Sequence, residues 1–197
     1  TSWNFRGAAA GVPTVVRAAS ADPNPVTDTR THLDVLGGDA SGEKKLTYTW
    51  SVVDMPSDAA VPSFSANATN GTKSIIAQFF EPGDYTFRCT ITNLSGGSVS
   101  SDVAVSVIPT ATTLRTSLHA QKALFGQTIQ YRTLVLDQFN APLRSQPKIA
   151  YSIESGEGSV DADTGLFTAS NNVRGHVDIG VRGGGLSGTV GVTVTGP

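Results

Sequence analysis

Apolar and polar residues alternate along most of this chain with a period of two. The clearest run is Leu46-Thr47-Tyr48-Thr49-Trp50-Ser51-Val52-Val53, where Leu46, Tyr48, Trp50 and Val52 share one face and Thr47, Thr49, Ser51 and Val53 the other. A tryptophan in mid-strand among β-formers predicts the centre of a packed core. The same alternation predicts strands at Thr14–Ala19, at Thr31, Leu33 and Val35, and at Tyr85, Phe87, Cys89 and Ile91. It closes the first half with Val99, Val103, Val105 and Val107. Between Lys73 and Phe80 the pattern leaves two registers open: Ile75, Ala77 and Phe79 inward, or Ile76 and Phe80. Turn clusters separate the strands, among them Asp22-Pro23-Asn24-Pro25, Asn67–Thr72, Glu81-Pro82-Gly83-Asp84 and Asn93–Gly97.

The second half repeats the logic with shorter strands. Ile129, Tyr131, Thr133 and Val135 alternate with Gln130, Arg132 and Leu134, and Ile149, Tyr151 and Ile153 form another face. Val177, Ile179 and Val181 form a late strand and Val190, Val192 and Val194 the last. No segment sustains a 3.6-residue period with caps, so essentially no α-helix is expected. Strands recurring roughly every 8–12 residues predict an all-β sandwich architecture, and 197 residues suffice for two such units. The expected organisation is a tail or linker over 1–11, a first sandwich over 12–108, a short linker over 109–112 and a second sandwich over 113–197.

Composition narrows the function classes. With 39% hydrophobic and 15% charged residues the chain can fill real cores, and a net charge of −2 without a basic run argues against nucleic acid as a partner. No stretch approaches the roughly 18 apolar residues of a membrane span. One cysteine, Cys89, excludes an internal disulfide framework and is expected to behave as a small buried hydrophobe. The start at Thr1, without a methionine or a leader pattern, reads as a processed or excised piece of something longer.

Two resemblances follow from the strand plan. The first unit resembles a PKD-type Ig-like domain through Leu46-Thr47-Tyr48-Thr49-Trp50, Pro82-Gly83-Asp84-Tyr85-Thr86-Phe87 and Ile91-Thr92-Asn93. The resemblance implies that Tyr85 is a tyrosine corner bonded to backbone just upstream. The loop after the Trp50 strand, Val52-Val53-Asp54-Met55-Pro56, departs from the Gly-Asp-Gly that is usual there. The second unit is similar to bacterial Ig-like domains of group 2, the invasin and intimin kind. The matching residues are Gly126-Gln127-Thr128, Asp137-Gln138-Phe139-Asn140, Tyr151-Ser152-Ile153 and the run Gly158–Ala169. Both imply two Ig-like β-sandwich domains in series from an extracellular or cell-surface bacterial protein. Such modules serve as spacers, stalks, adhesin segments or accessories to polysaccharide-degrading enzymes, with neighbouring domains, a polysaccharide or a surface protein as partners.

Candidate chemistry is sparse. His32, His119 and His176 show no metal-ligand spacing, and no nucleophile elbow is present, so no catalytic residues are assigned and no enzyme is expected. Asp39, Ser41 and Glu43 offer oxygens at alternate positions of a Gly-rich loop, the kind of donor set calcium uses. Asp22, with Asn24, is expected to complete such a shell from the same end of the sandwich. Asp161 and Asp163 are a weaker calcium alternative, read first as a tight turn. Trp3 and Phe139, with Phe125, are aromatics the core does not account for, and Trp3 and Phe139 are the candidates for stacking on a sugar or partner.

Overall fold

The computed structural model describes residues 11–117 and 122–196. The chain divides between Ile108 and Pro109 into two compact units. The strand β8 of the second unit, Ala111–Thr116, begins at once, so Ala111 and Thr112 belong to a sheet.

In the first unit, β1 (Thr14–Asp22), β2 (Arg30–Gly38), β5 (Ser74–Gln78) and β4 (Ser63–Phe64) form one antiparallel sheet in the order β1-β2-β5-β4. The strands β3 (Thr47–Asp54), β6 (Gly83–Thr92) and β7 (Ser98–Val107) form the other, in the order β3-β6-β7. This is the ABED and CFG arrangement of a seven-stranded Ig-like sandwich. The alternation seen in the sequence becomes the core. Tyr48, Trp50, Phe87, Cys89 and Ile91 on one sheet and Leu33, Val35, Ile75, Ala77 and Phe79 around the other are all buried. The open register at Lys73–Phe80 resolves to Ile75, Ala77 and Phe79 inward, with Phe80 45% exposed.

Ring packing closes this core where a disulfide is absent. Phe79 lies 4.9 Å from Tyr85 and 5.9 Å from Phe87 between ring centres, and Phe64 meets Phe87 edge-on at 5.7 Å. The polar tips of the buried aromatics reach backbone. The Trp50 indole N–H donates to the Thr72 carbonyl at 2.8 Å. The Tyr85 hydroxyl donates to the Glu81 carbonyl at 2.9 Å, the tyrosine corner expected from the sequence.

Both outer edges of the β3-β6-β7 sheet are met by side-chain amides. Asn67 accepts the Trp50 N–H at 2.8 Å and donates to the Trp50 carbonyl at 2.8 Å on the outer edge of β3. Asn24 donates to the Ala104 carbonyl at 2.9 Å and accepts the Ser106 N–H at 3.1 Å on the outer edge of β7.

Among its described residues the second unit has nine strands. They are β8, β9 (Lys122–Leu124), β10 (Thr128–Gln130), β11 (Thr133–Asp137), β12 (Ala150–Ser155), β13 (Gly158–Val160), β14 (Leu166–Ala169), β15 (Gly175–Gly183) and β16 (Leu186–Thr195). One face is the sheet β12-β15-β16-β9, in which β9 runs parallel to β16. The other is built by β10-β14-β13 and by β11-β8. The continuous strand expected from Thr128 to Leu136 is interrupted at Tyr131 and Arg132. Tyr131 continues the β14 side, its N–H donating to the Gly165 carbonyl at 3.0 Å, whereas the Arg132 carbonyl takes the Ser117 N–H on the β8 side at 2.7 Å. Ile129, Tyr131, Tyr151, Phe167, Val177, Ile179, Val181, Val192 and Val194 make the core.

The run Gly158–Ala169 is legible residue by residue. A Cβ on Gly158 would sit 2.7 Å from the buried ring of Phe167. Asp161 Oδ1 takes the N–H groups of Asp163 and Thr164 at 3.1 and 2.8 Å, fixing the turn. Gly165 has φ +72°, and a Cβ there would meet the Tyr131 carbonyl and the Tyr151 ring at 2.8 Å.

Two tests follow. The Tyr131 hydroxyl is buried and, among the described residues, has no hydrogen-bond partner. Tyr131→Phe should therefore leave stability unchanged or raise it by about 1 kcal/mol, whereas Tyr85→Phe should cost about 1 kcal/mol. Urea midpoints of the two variants distinguish these signs. Asn67→Ala leaves the Trp50 backbone groups without their partners and should cost ~1–3 kcal/mol in the same assay.

Candidate functional site

The loop from Asp39 to Leu46 and the segment around Asn70 carry the densest polar network of the first unit. A 3-10 turn at Glu43–Lys45 precedes β3, and a second at Gly71–Lys73 precedes β5. Glu43 Oε1 accepts from Lys73 Nζ at 2.9 Å, from the Tyr48 hydroxyl at 2.9 Å and from Asn70 Nδ2 at 3.2 Å. The Tyr48 hydroxyl in turn accepts the Gly37 N–H at 3.1 Å. Asn70 Nδ2 also lies 2.9 Å from the Glu43 carbonyl and 2.9 Å from the Leu46 carbonyl, three acceptors around two N–H hydrogens. Burial pushes the Tyr48 phenol up to about 12. The Lys73 ammonium, then Tyr48 and Asn70, hold the Glu43 carboxyl below its usual value against the opposing effect of burial.

Asp39 belongs to a different network. Its Oδ1 takes the Ser41 N–H at 2.8 Å and the Ser41 hydroxyl, and its Oδ2 takes Asn93 Nδ2 at 3.0 Å. These donors, Ser41 first and then Asn93, hold the Asp39 carboxyl below the ordinary range. Asn93 also donates to the Gly11 carbonyl at 2.6 Å, and its Oδ1 accepts the Gly97 N–H at 2.9 Å. It thereby ties the entry of the chain, the Asp39 loop and the β6–β7 hairpin together.

The expected calcium shell is not assembled by this geometry. Asp22 stands opposite His32, at one end of the β1–β2 pair, whereas Gly38, next to Asp39, stands opposite Thr14 at the other end. Six residue steps of β2 separate His32 from Gly38, about 20 Å. The expectation that Asp22 and Asn24 share an end with the Asp39 loop is therefore corrected. Turns before and after one strand lie at opposite ends of a sandwich. Asn24 is engaged on β7, and the oxygens of Asp39 and Glu43 face donors of the protein itself. Among the described residues no cluster of three His, Cys, Asp or Glu side chains could hold a metal. In the second unit Asp161 holds its own turn, and Asp163 pairs with the exposed Lys148 at 2.8 Å.

Trp3 and His119 lie outside the described residues. Phe139 is half-buried in a turn that Asp137 builds, with Asp137 Oδ1 taking the Phe139 and Ala141 N–H groups at 2.8 and 3.0 Å. Asp137 is itself only 3% exposed, so the turn is anchored in the sandwich. Phe125 packs against the second core, with the Arg174 guanidinium 6.0 Å from its ring centre. Among the described residues the one largely exposed aromatic is Phe80.

Sequence reasoning missed two features. His176, Asp178 and Ser155 meet on β15 and β12: the Asp178 carboxylate lies 3.1 Å from His176 Nε2 and takes the Ser155 hydroxyl at 2.7 Å. The carboxylate stands between the other two, so the imidazole cannot take the serine proton and the serine is not an activated nucleophile. An open apolar groove lined by Val52, Val53, Asp54, Met55, Val61 and Phe64 lies where β3 and β4 approach. Its signal was the doublet Val52-Val53, which breaks the alternation, followed by Met55 and Val61 in a loop. Cys89 is fully buried opposite Trp50, and burial pushes its thiol up to about 12. It packs as a hydrophobe. No helix among the described residues is long and apolar enough to cross a membrane.

The sequence matches no family model and no curated protein. The fold is similar to solved structures. Drosophila N-cadherin EC1-4 aligns with 95% of this chain at a TM-score of 0.57 and 17% identity, and this chain spans 50% of that one. The D00-D0 domain of intimin aligns with 93% of this chain and 100% of its own, at a TM-score of 0.50 and 12% identity. At these identities the likeness is one of fold.

The Glu43 network makes a pH prediction. The folded value of Glu43 lies below its unfolded value, so its contribution is fully present above about 4.3 and is lost as pH falls through the folded value. Glu43→Gln should be less stable than the parent at neutral pH, and the difference should shrink as pH drops below about 4. Melting temperatures of both proteins from about pH 7 to about pH 3 report it.

Proposed function

We propose that the chain is a non-catalytic pair of Ig-like modules that spaces or presents neighbouring domains of a larger extracellular or cell-surface protein of bacterial origin. The unit ending at Ile108 is the PKD-like member and the unit from Pro109 the group-2 bacterial Ig-like member. The observation that carries the reading is where the polar side chains go. Asp39, Glu43, Asn24, Asn67, Asn93, Asp137, Gln146 and Asp161 direct their hydrogen bonds to the protein's own loops and strand edges. A catalytic cleft needs polar groups that converge on a substrate rather than on backbone. The reading requires no calcium and no other cofactor.

The runner-up is an accessory module that attaches to a polysaccharide or a surface protein. The exposed ring of Phe80 and the groove beside β3 are the observations in its favour. Pull-down of the intact chain on a panel of polysaccharides, with calcium and with chelator, separates the two. The spacer reading expects no retention in either condition and the same melting temperature in both. Retention that disappears on Trp3→Ala, Phe139→Ala or Phe80→Ala establishes the attachment reading instead.

A further inference from the structure

Asn70-Gly71 is the only Asn-Gly pair in the chain, and it lies at the centre of the Glu43 network. Glycine after asparagine removes the side chain that would otherwise shield its backbone nitrogen. That nitrogen can attack the amide carbon of the preceding asparagine. Here the leaving nitrogen of that amide, Asn70 Nδ2, is the atom that faces the Glu43 carbonyl, Glu43 Oε1 and the Leu46 carbonyl. Asn70 also has helical backbone angles, φ −66° and ψ −33°, at the start of the second 3-10 turn.

We infer that Asn70 is a self-modification site which the folded first unit keeps closed, and that its conversion to aspartate or isoaspartate after local opening makes unfolding of that unit irreversible. The bond balance is simple. Gly71 N bonds to Asn70 Cγ, the Cγ–Nδ2 bond breaks, and ammonia leaves with the proton from Gly71 N–H. Water then opens the five-membered imide at either carbonyl. Ring closure requires the amide carbon to swing onto the Gly71 nitrogen, which tears Nδ2 from all three acceptors at once.

The product cannot re-form the corner. A carboxylate at position 70 has no hydrogen to donate, and it faces two carbonyls and the Glu43 carboxylate. Isoaspartate lengthens the main chain by one atom next to Thr72, whose carbonyl receives the Trp50 indole. Both products withdraw the support that Asn70 gives to the Glu43–Leu46 segment before β3.

Gly71→Ala is the informative variant. An added Cβ would find only Thr69 Oγ1 at 3.6 Å, an ordinary contact, and Gly71 is not among the left-handed glycines. The fold should accept it while the methyl group slows ring closure. The intact chain is held at about pH 8 either folded or in urea, and separately cycled through its melting transition, with peptide mapping of the Asn70 segment. The folded parent should gain about 1 Da at Asn70 at least about tenfold more slowly than the urea-unfolded chain, because only locally opened molecules react. On cycling, the parent should lose refoldable first unit in step with that mass gain, and Gly71→Ala should not. Conversion of Asn70 at equal rates in the folded and unfolded chain overturns the protection, and loss of refolding by Gly71→Ala at the parent's rate overturns the link to irreversibility. Asn70→Asp made directly should melt lower than the parent, and an unchanged melting temperature also overturns that link.

Discussion

A sheet has edges, and every backbone group on an edge that is partly shielded from water must find a partner. Both units meet this constraint with side-chain carboxamides. An amide carries a donor and an acceptor spaced like those of a peptide group, so it can stand in for a missing strand. Asn67 does this for Trp50 on β3, Asn24 for Ala104 and Ser106 on β7, and Gln146 for Val135 on β11, the last with contacts of 2.8 and 3.0 Å. Beyond Trp50 the edge of β3 carries a bulge between Val52 and Asp54, a second way of blunting it. A consequence of this device is that an asparagine or glutamine at these places cannot be exchanged for its acid, which accepts but does not donate.

The cores follow from the same logic applied to rings. Trp50, Tyr48 and Tyr85 are fully buried large side chains whose polar tips would be unsatisfied in an oil-like interior. Each reaches a connection between strands: Trp50 the Thr72 carbonyl, Tyr85 the Glu81 carbonyl, and Tyr48 the Glu43 carboxylate, while its oxygen also takes the Gly37 N–H of β2. The loops are therefore held by the core rather than merely connected to it. Tyr131 in the second unit departs from this pattern, since its ring is packed but its hydroxyl has no partner among the described residues.

Much of the fold was legible because a period of two is a strong signal where one face of a strand is buried. Leu46 to Trp50, Tyr85 to Ile91 and Val177 to Val181 read directly as core faces. The register at Lys73–Phe80 was not legible, because Ile75-Ile76 and Phe79-Phe80 offer equally apolar faces. It is set by the pairing of β5 with β2, in which Ile75 stands opposite Leu33 and Ala77 opposite Thr31. The break at Tyr131 was hidden for a similar reason, as alternation continues through the point where the strand changes partners. The candidate site was least legible. Alternating acidic residues in a loop look alike whether they await a cation or a neighbour's N–H. Only the fold reveals that Asn93, Asn70 and Lys73 are those neighbours. The separation of Asp22 from Asp39 needed strand direction, which composition does not carry.

Each unit pairs an early segment in parallel with its final strand, a single bridge residue after β1 in the first unit and the strand β9 in the second. Val26 bridges to Val107, with bonds of 2.8 Å to Ser106 and from Ile108, and β9 lies along β16 from Lys122 opposite Thr193 to Leu124 opposite Thr195. Tension transmitted along the chain would pull such neighbours in opposite directions lengthwise. The hydrogen bonds of the patch then bear the load together, whereas the bonds of an antiparallel hairpin pulled at its open end break in succession. Load entering a unit from its start meets β1 or β8 first, each paired antiparallel, so the parallel patch would share force as a clamp once the load passes beyond that strand.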